Sequence, residues 1–124
     1  MPKLVLFCLA LAWTCIIAFF CLIQASDIPS VNIPISNLDK IVHAFFHFVF
    51  SSLWFMFFQK QFKEAKYLRL LIISVLLSVF YGIIIEILQG VLTTTRNADV
   101  FDVFANVSGA IIFSLFSLFK KNKI

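Results

Sequence analysis

Residues 68–88 have the sequence LRLLIISVLLSVFYGIIIEIL, in which Arg69 and Glu86 are the only charged residues. A helix needs about 20 predominantly apolar residues to cross the hydrocarbon core of a bilayer, and this stretch has that length. A transmembrane β-strand would instead alternate apolar and polar residues over about 10 positions. The uninterrupted isoleucines at 83–85 contradict such an alternation. The stretch therefore predicts a transmembrane helix.

Three more apolar blocks of similar length surround it, at Leu4–Ile23, Ile41–Phe58 and Val100–Phe119. Of the 124 residues, 62% are hydrophobic and 13% are charged, whereas a soluble domain has about 25% charged residues. The mean hydropathy of +1.05 excludes a soluble globule, and the 17 phenylalanines exclude a disordered chain. We expect a single all-α domain over residues 1–124, an integral membrane bundle of four transmembrane helices.

The first block has some features of a signal peptide, because Lys3 precedes it and small residues follow Ile23. Its apolar core is longer than the roughly 7 to 15 residues of a signal peptide, and bulky Ile23 occupies a position where cleavage requires a small residue. We therefore expect this block to remain as the first helix. Its three cysteines are expected to be buried small side chains rather than disulfide partners or metal ligands: Cys8, Cys15 and Cys21.

The basic residues predict the orientation of the helices, because short loops rich in lysine and arginine stay in the cytoplasm. Eight of the ten lie before the first block, between the second and third, or after the fourth: Lys3, Lys60, Lys63, Lys66, Arg69, Lys120, Lys121 and Lys123. Only Lys40 and Arg96 lie on the other side. We expect cytoplasmic termini and a multi-pass protein of the bacterial cytoplasmic membrane. This topology accounts for the net charge of +4, so no nucleic-acid partner is expected.

Small residues predict which helix faces pack together, since they let helices approach closely within a bilayer. The third helix has a stripe at spacings of four, formed by Ser74, Ser78, Gly82, Glu86 and Gly90. The first helix has a second stripe, formed by Ala10, Thr14 and Ala18. We expect both stripes to line the bundle interior, with Gly82 and Gly109 as packing positions.

Polar residues concentrate where the second helix begins, the third ends and the fourth begins. They are Asp39, Lys40, His43, Glu86, Gln89, Asp99, Asp102 and Asn106, with Arg96 in the preceding loop. His47 shares the face of Asp39 and His43, and Ser36 is the expected N-cap of the second helix. Because these helix ends meet on the predicted outer side, we expect one extracytoplasmic polar cluster. The opposite half of the bundle is expected to be almost purely apolar.

Three motifs carry a family resemblance. Asp39-Lys40-x-x-His43 opens the second helix, Glu86-x-x-Gln89 closes the third, and Arg96 precedes Asp99-x-x-Asp102-x-x-x-Asn106-x-x-Gly109. Together they resemble the VanZ-like family of small bacterial membrane proteins, from the second helix to the C-terminus. The resemblance implies a link to low-level resistance to teicoplanin, a lipid-tailed glycopeptide antibiotic that acts outside the membrane. It implies no established biochemical activity.

We favour a binding module, in which the cluster receives the polar part of an outer-leaflet or envelope ligand. Such a ligand is a lipid headgroup, a lipid-linked cell-wall precursor or an amphiphilic antibiotic. Arg96 and Lys40 would hold its phosphate or carboxylate groups. Hydroxyl or amine groups would meet the carboxylates of Asp39, Glu86, Asp99 and Asp102.

Two other function classes remain open. One is a membrane-embedded hydrolase or transferase acting on a lipid-linked substrate, with Asp39 orienting His43 as a general base and several carboxylates able to hold a divalent cation. The other is a purely structural cluster, because buried charges need partners. His43 and His47 have a spacing that could ligate a metal, but a hydrogen-bonded histidine pair is favoured, and neither a metal nor another cofactor is expected. Membrane lipids are the expected partners, and the oligomeric state is open.

Overall fold

The computed structural model describes residues 1–23, 35–93 and 98–123. It contains four helices in chain order: α1 (Lys3–Leu22), α2 (Ile35–Gln61), α3 (Tyr67–Leu92) and α4 (Val100–Lys123). No strand occurs in these three described segments. Each helix includes a window long and apolar enough to cross a membrane. The prediction of an all-α bundle with four spanning helices is thus confirmed.

The helices extend beyond the apolar blocks that predicted them. α2 begins at Ile35 rather than Ile41, so Ser36 lies within the helix and is not its N-cap. α3 ends at Leu92 instead of Leu88. The blocks mark only the part of each helix that suits hydrocarbon, whereas backbone hydrogen bonding continues into polar residues near the membrane surface.

α2 lies at the centre of the bundle and contacts all three other helices, most extensively α4. Within the described residues α1 packs against α2 and α3 but makes no contact with α4. Gly109 of α4 lies directly against the backbone of Ala44 in α2, where an added Cβ would overlap the Ala44 carbonyl group. This close approach aligns the beginning of α4 with the beginning of α2.

The interior is filled from both ends of the bundle. One apolar group joins Ile17, Cys21, Phe50 and Ile85. A second, nearer the opposite end, joins Phe55, Leu70, Leu71 and Phe113. Large side chains such as Leu76, Phe80 and Phe104 are exposed on the outside. The spanning helices therefore present an apolar surface that contacts lipid.

The cysteine prediction holds for one residue of three. Cys21 is buried, but Cys8 and Cys15 are exposed on the outside of α1. Their positions along the helix place them on the lipid-facing side, where a small apolar side chain is also tolerated.

The small-residue stripe of α3 is interior over most of its length. Ser74, Ser78, Gly82 and Glu86 are buried, whereas Gly90 is exposed. A Cβ at Gly90 would meet only Ala98, at 3.2 Å from its Cβ. The stripe thus leaves the interior at the last turn of α3, where the chain turns toward α4.

Candidate functional site

Three helix ends meet at one end of the bundle, where α2 and α4 begin and α3 ends. The residues brought together there are Asp39, Lys40 and His43 from α2, Glu86 from α3, and Asp99, Asp102 and Asn106 at the beginning of α4. We call this set the polar cluster. Of the other two predicted members, Arg96 lies outside the described residues, and the Gln89 side chain donates to the Cys21 carbonyl of α1 at 2.8 Å.

Lys40 occupies the outer part of the polar cluster and is surrounded by carboxylates. Its Nζ donates to Asp99 Oδ2 at 2.6 Å and to Asp102 Oδ1, and it lies 3.7 Å from Asp39 Oδ2. The ammonium therefore joins α2 to α4. It would have to leave these partners to hold a ligand phosphate, so the predicted phosphate-binding role of Lys40 does not fit this geometry.

Asp99 lies just before the membrane-spanning part of α4 and is the most exposed acid of the polar cluster, with 40% of its side chain exposed. The hydrogen bond from Lys40 holds the pKa of the Asp99 carboxyl below its usual value, and the backbone N–H of Phe101 acts in the same direction. That N–H donates to Asp99 Oδ1 at 2.9 Å. Asp99 is thus an ionised, accessible acceptor near the membrane surface.

His43 lies deeper and is only 3% exposed. Its Nδ1 lies 3.1 Å from Oδ1 of Asn106. Its Nε2 faces two carboxylates, at 3.5 Å from Asp39 Oδ1 and 3.5 Å from Asp102 Oδ2. Each of these two acids thus directs one oxygen toward Lys40 and the other toward His43.

Glu86 reaches the polar cluster from α3 and is 4% exposed. Its Oε2 accepts a hydrogen bond from the backbone N–H of Asp99 at 3.0 Å. Its Oε1 is buried and has no hydrogen-bond partner among the described residues. The carboxyl group also interacts electrostatically with Asp102 and His43. A buried acceptor without a donor is costly and calls for a partner.

Taken together, the described part of the polar cluster contains four carboxyl groups and one ammonium group. Charged groups within a membrane-spanning bundle are expensive unless they are paired. This excess of acid favours a cation or a hydrogen-bond donor as the binding partner.

Comparison with known proteins agrees with the architecture. The model of the VanZ/LLP1 family matches residues 4–121. The chain belongs to the VanZ/LLP1 family. The match includes α1, which the sequence motifs did not cover. No curated protein and no solved structure matches the chain.

The interior of this VanZ/LLP1 protein is polar to a greater depth than its sequence suggested. His47 Nδ1 lies 2.7 Å from Ser78 Oγ, and both residues are fully buried. Ser51, Ser74 and Ser117 are also buried, in the half of the bundle away from the polar cluster. The expectation of an almost purely apolar half is therefore wrong, because serine can bond within a helix and still face the interior.

Gly82 makes room for the polar side chains below His43. A Cβ at this position would lie 2.7 Å from Asn106 Nδ2 and 3.2 Å from His47 Cε1. The spacing of Gly82 from Ser78 and Glu86 predicted its interior position. The pairing of His47 with Ser78 was not predicted, although both residues were on faces expected to be interior.

No hydroxyl group of the described residues is placed as a nucleophile beside His43. Ser108 lies two residues after Asn106 of the polar cluster, but it is exposed. Its hydroxyl donates to the Phe104 carbonyl of its own helix at 2.8 Å. This arrangement gives no support to a hydrolase that uses a serine of α4.

Proposed function

We propose that this VanZ/LLP1 protein binds the polar part of an outer-leaflet or envelope ligand through the outer residues of the polar cluster. The ligand presents amine or hydroxyl donors and is a lipid headgroup, a lipid-linked precursor or a lipid-tailed glycopeptide. The observation that carries the proposal is the arrangement of Asp39, Asp99 and Asp102 around Lys40 at one end of a membrane-spanning bundle.

Three of these side chains are accessible enough to meet a ligand. The exposed fractions are 27% for Asp39, 31% for Lys40 and 40% for Asp99. We call these three residues the rim. A hydrogen-bond donor of the ligand would share the carboxylates with Lys40. Every buried charge would therefore keep its partner when the ligand binds.

The side of the membrane on which the rim lies determines which ligands can reach it. The predicted topology puts it at the outer membrane surface, where headgroups and lipid-linked precursors lie. The family resemblance to VanZ adds teicoplanin, whose lipid tail would enter the bilayer beside the bundle while its polar part meets the rim. Binding of such compounds by the protein would lower the concentration of free compound at its target in the envelope.

The test is antibiotic susceptibility in a teicoplanin-sensitive bacterium that expresses the chain. We expect expression to raise the inhibitory concentration of teicoplanin but not that of a glycopeptide without a lipid tail. Asp99→Asn should reduce the gain, since it removes the most exposed carboxylate. The matched control is Glu64→Gln in the connection between α2 and α3, far from the rim.

Protein amounts in the membrane are measured for every strain, so that a folding defect is separated from a binding defect. An unchanged inhibitory concentration at normal protein amounts would count against the antibiotic ligand. Equal effects of Asp99→Asn and Glu64→Gln would count against the rim as its binding site. In either case, direct binding of headgroups and precursors to the protein in lipid nanodiscs tests the remaining ligand classes.

A further inference from the structure

Asp39 of the rim and two buried side chains below it converge from α2 and α4. We propose that Asp39, His43 and Asp102 bind one divalent transition-metal ion of the Zn²⁺ class. Their ligand atoms all lie within 4.8 Å of one another. His43 and Asp102 are buried, and Asp39 is the one residue that this site shares with the rim. The proposal departs from the sequence-based expectation that no metal is bound.

The contacts from His43 to the two carboxylates are long ion pairs, and their length also fits the spacing of two ligands of one metal ion. Nε2 of His43 lies 3.5 Å from one oxygen of Asp39 and 3.5 Å from one oxygen of Asp102. An N–H···O hydrogen bond is shorter, at about 2.7 to 3.2 Å. Two atoms that bind Zn²⁺ at about 2.1 Å each, with a tetrahedral angle between them, are about 3.4 Å apart.

The hydrogen bond on the other side of the imidazole agrees with this assignment. Nδ1 of His43 lies 3.1 Å from Oδ1 of Asn106, and an amide oxygen can only accept. Nδ1 therefore carries a ring proton, and Nε2, which faces the two carboxylates, becomes a ligand atom once it is deprotonated. Metal-binding histidines are held in this way by an acceptor on the second nitrogen. A cation between Nε2 and the two oxygens would remove their mutual repulsion.

Glu86 supplies the second, independent observation. Its carboxyl group interacts with both His43 and Asp102, yet its buried Oε1 has no hydrogen-bond partner among the described residues. Three protein ligands leave a position on a Zn²⁺ ion for water, as in catalytic zinc sites. A metal-bound water would donate a hydrogen bond, which is what Oε1 lacks.

The charge of the polar cluster also favours a dication. Its four carboxyl groups outnumber the single ammonium of Lys40 among the described residues. Lys40 contacts Oδ2 of Asp39 and Oδ1 of Asp102, so it does not compete for the oxygens that face His43. An imidazole ligand favours Zn²⁺ and similar ions over Mg²⁺ or Ca²⁺, which prefer all-oxygen sites.

The experiment uses the full chain, purified from membranes in detergent with an affinity tag that contains no histidine. Metal content is measured by mass spectrometry, and metal-free protein is then titrated with Zn²⁺ and Co²⁺. We expect about one ion per chain, and a visible Co²⁺ spectrum that reports the coordination geometry. Asp102→Asn and His43→Gln should weaken binding strongly. Asn106→Leu, which removes only the acceptor for Nδ1, should weaken it about tenfold or more.

Glu64→Gln is the control, because Glu64 lies in the connection between α2 and α3, away from the polar cluster. It should keep the affinity of the unsubstituted protein. If a variant of a metal-binding residue does not fold, metal binding is tested instead by thermal unfolding of the unsubstituted protein. Added Zn²⁺ should raise the midpoint temperature of unfolding, and a chelator should lower it. These measurements contain no envelope ligand, so their outcome is independent of the proposed function.

Three results would overturn the proposal. Folded protein that binds neither Zn²⁺ nor Co²⁺ would show that a shared proton, not a metal, relieves the repulsion between the carboxyl groups. Binding of Ca²⁺ or Mg²⁺ alone would exclude the Zn²⁺ class. An equal loss of affinity in Glu64→Gln and Asp102→Asn would exclude Asp39, His43 and Asp102 as the specific ligand set.

Discussion

Substitution of Gly109 by alanine should separate α4 from α2 and disrupt the polar cluster without removing any of its residues. An added Cβ would lie 2.8 Å from the carbonyl carbon and 3.0 Å from the Cα of Ala44. Carbon atoms in contact are about 3.5 to 4.0 Å apart. The Ala44 carbonyl oxygen would be closer still, and all three neighbours are backbone atoms of a helix, so α4 must move away by about 1 Å or more.

This displacement has a calculable cost. Overpacking of an interior costs about 1 to 3 kcal/mol. The hydrogen bond between His43 and Asn106, 3.1 Å long, crosses the same interface one turn away from Gly109 and would be stretched beyond useful length. Its loss adds about 1 kcal/mol. We expect Gly109→Ala to lower the free energy of unfolding by about 2 to 4 kcal/mol.

The assay is denaturation of the purified protein in mixed micelles by increasing amounts of sodium dodecyl sulfate, followed by circular dichroism. Gly90→Ala is the control, since its Cβ would meet only Ala98 and the residue is exposed. Both variants gain the same helix propensity, so this contribution cancels in the comparison. Equal stability of the two variants would refute the close contact between α2 and α4.

Two further predictions concern stability. Ser78→Ala should lower the free energy of unfolding by about 1 to 3 kcal/mol, because it leaves the buried Nδ1 of His47 without its partner. The control is Ser114→Ala, which should lower it less in the same assay, because the Ser114 hydroxyl bonds within its own helix. Equal losses of stability in the two variants would contradict the pairing of His47 with Ser78. The second prediction follows from the lowered pKa of Asp99: the pair with Lys40 stabilises the protein above the unfolded-state pKa of about 3.9 and is lost as the pH falls through the folded-state pKa. The difference in denaturation midpoint between the unsubstituted protein and Asp99→Asn should therefore shrink on acidification, and a constant difference from neutral to acidic pH would contradict it.

The sequence was sufficient for the helices because the thickness of the hydrocarbon core sets their length. Blocks such as Leu68–Leu88 are apolar for this reason, and each one corresponds to a helix. The same blocks did not predict the helix ends, since residues beyond the hydrocarbon no longer need to be apolar. Accordingly, α2 begins at Ile35 and α4 ends at Lys123, beyond the bounds that the apolar pattern predicted.

The chain direction of the helices was also sufficient to predict which ends meet, but not which side chains pair. Gln89 shares a face with Glu86 by its spacing of three, yet it bonds to the Cys21 carbonyl of α1. Which neighbour a face meets depends on the rotation of each helix about its axis. That rotation is set by close contacts such as Gly109 against Ala44, and these are long-range features that one sequence does not specify.

The arrangement around Lys40 bears on whether the polar cluster is only structural. A purely structural cluster would pair every group, and Lys40 does satisfy one oxygen each of Asp39, Asp99 and Asp102. The groups facing inward are different, since His43 Nε2 stands at 3.5 Å from two carboxylate oxygens and Glu86 Oε1 has no partner among the described residues. Pairing thus accounts for the rim and for His43, whereas Glu86 Oε1 has no hydrogen-bond donor among the described residues, and a buried acceptor without a donor reduces stability. If the proposed cation is bound, a water on it would supply this donor, so the metal content of the purified protein distinguishes a binding role of the inner half of the polar cluster from support of the bundle.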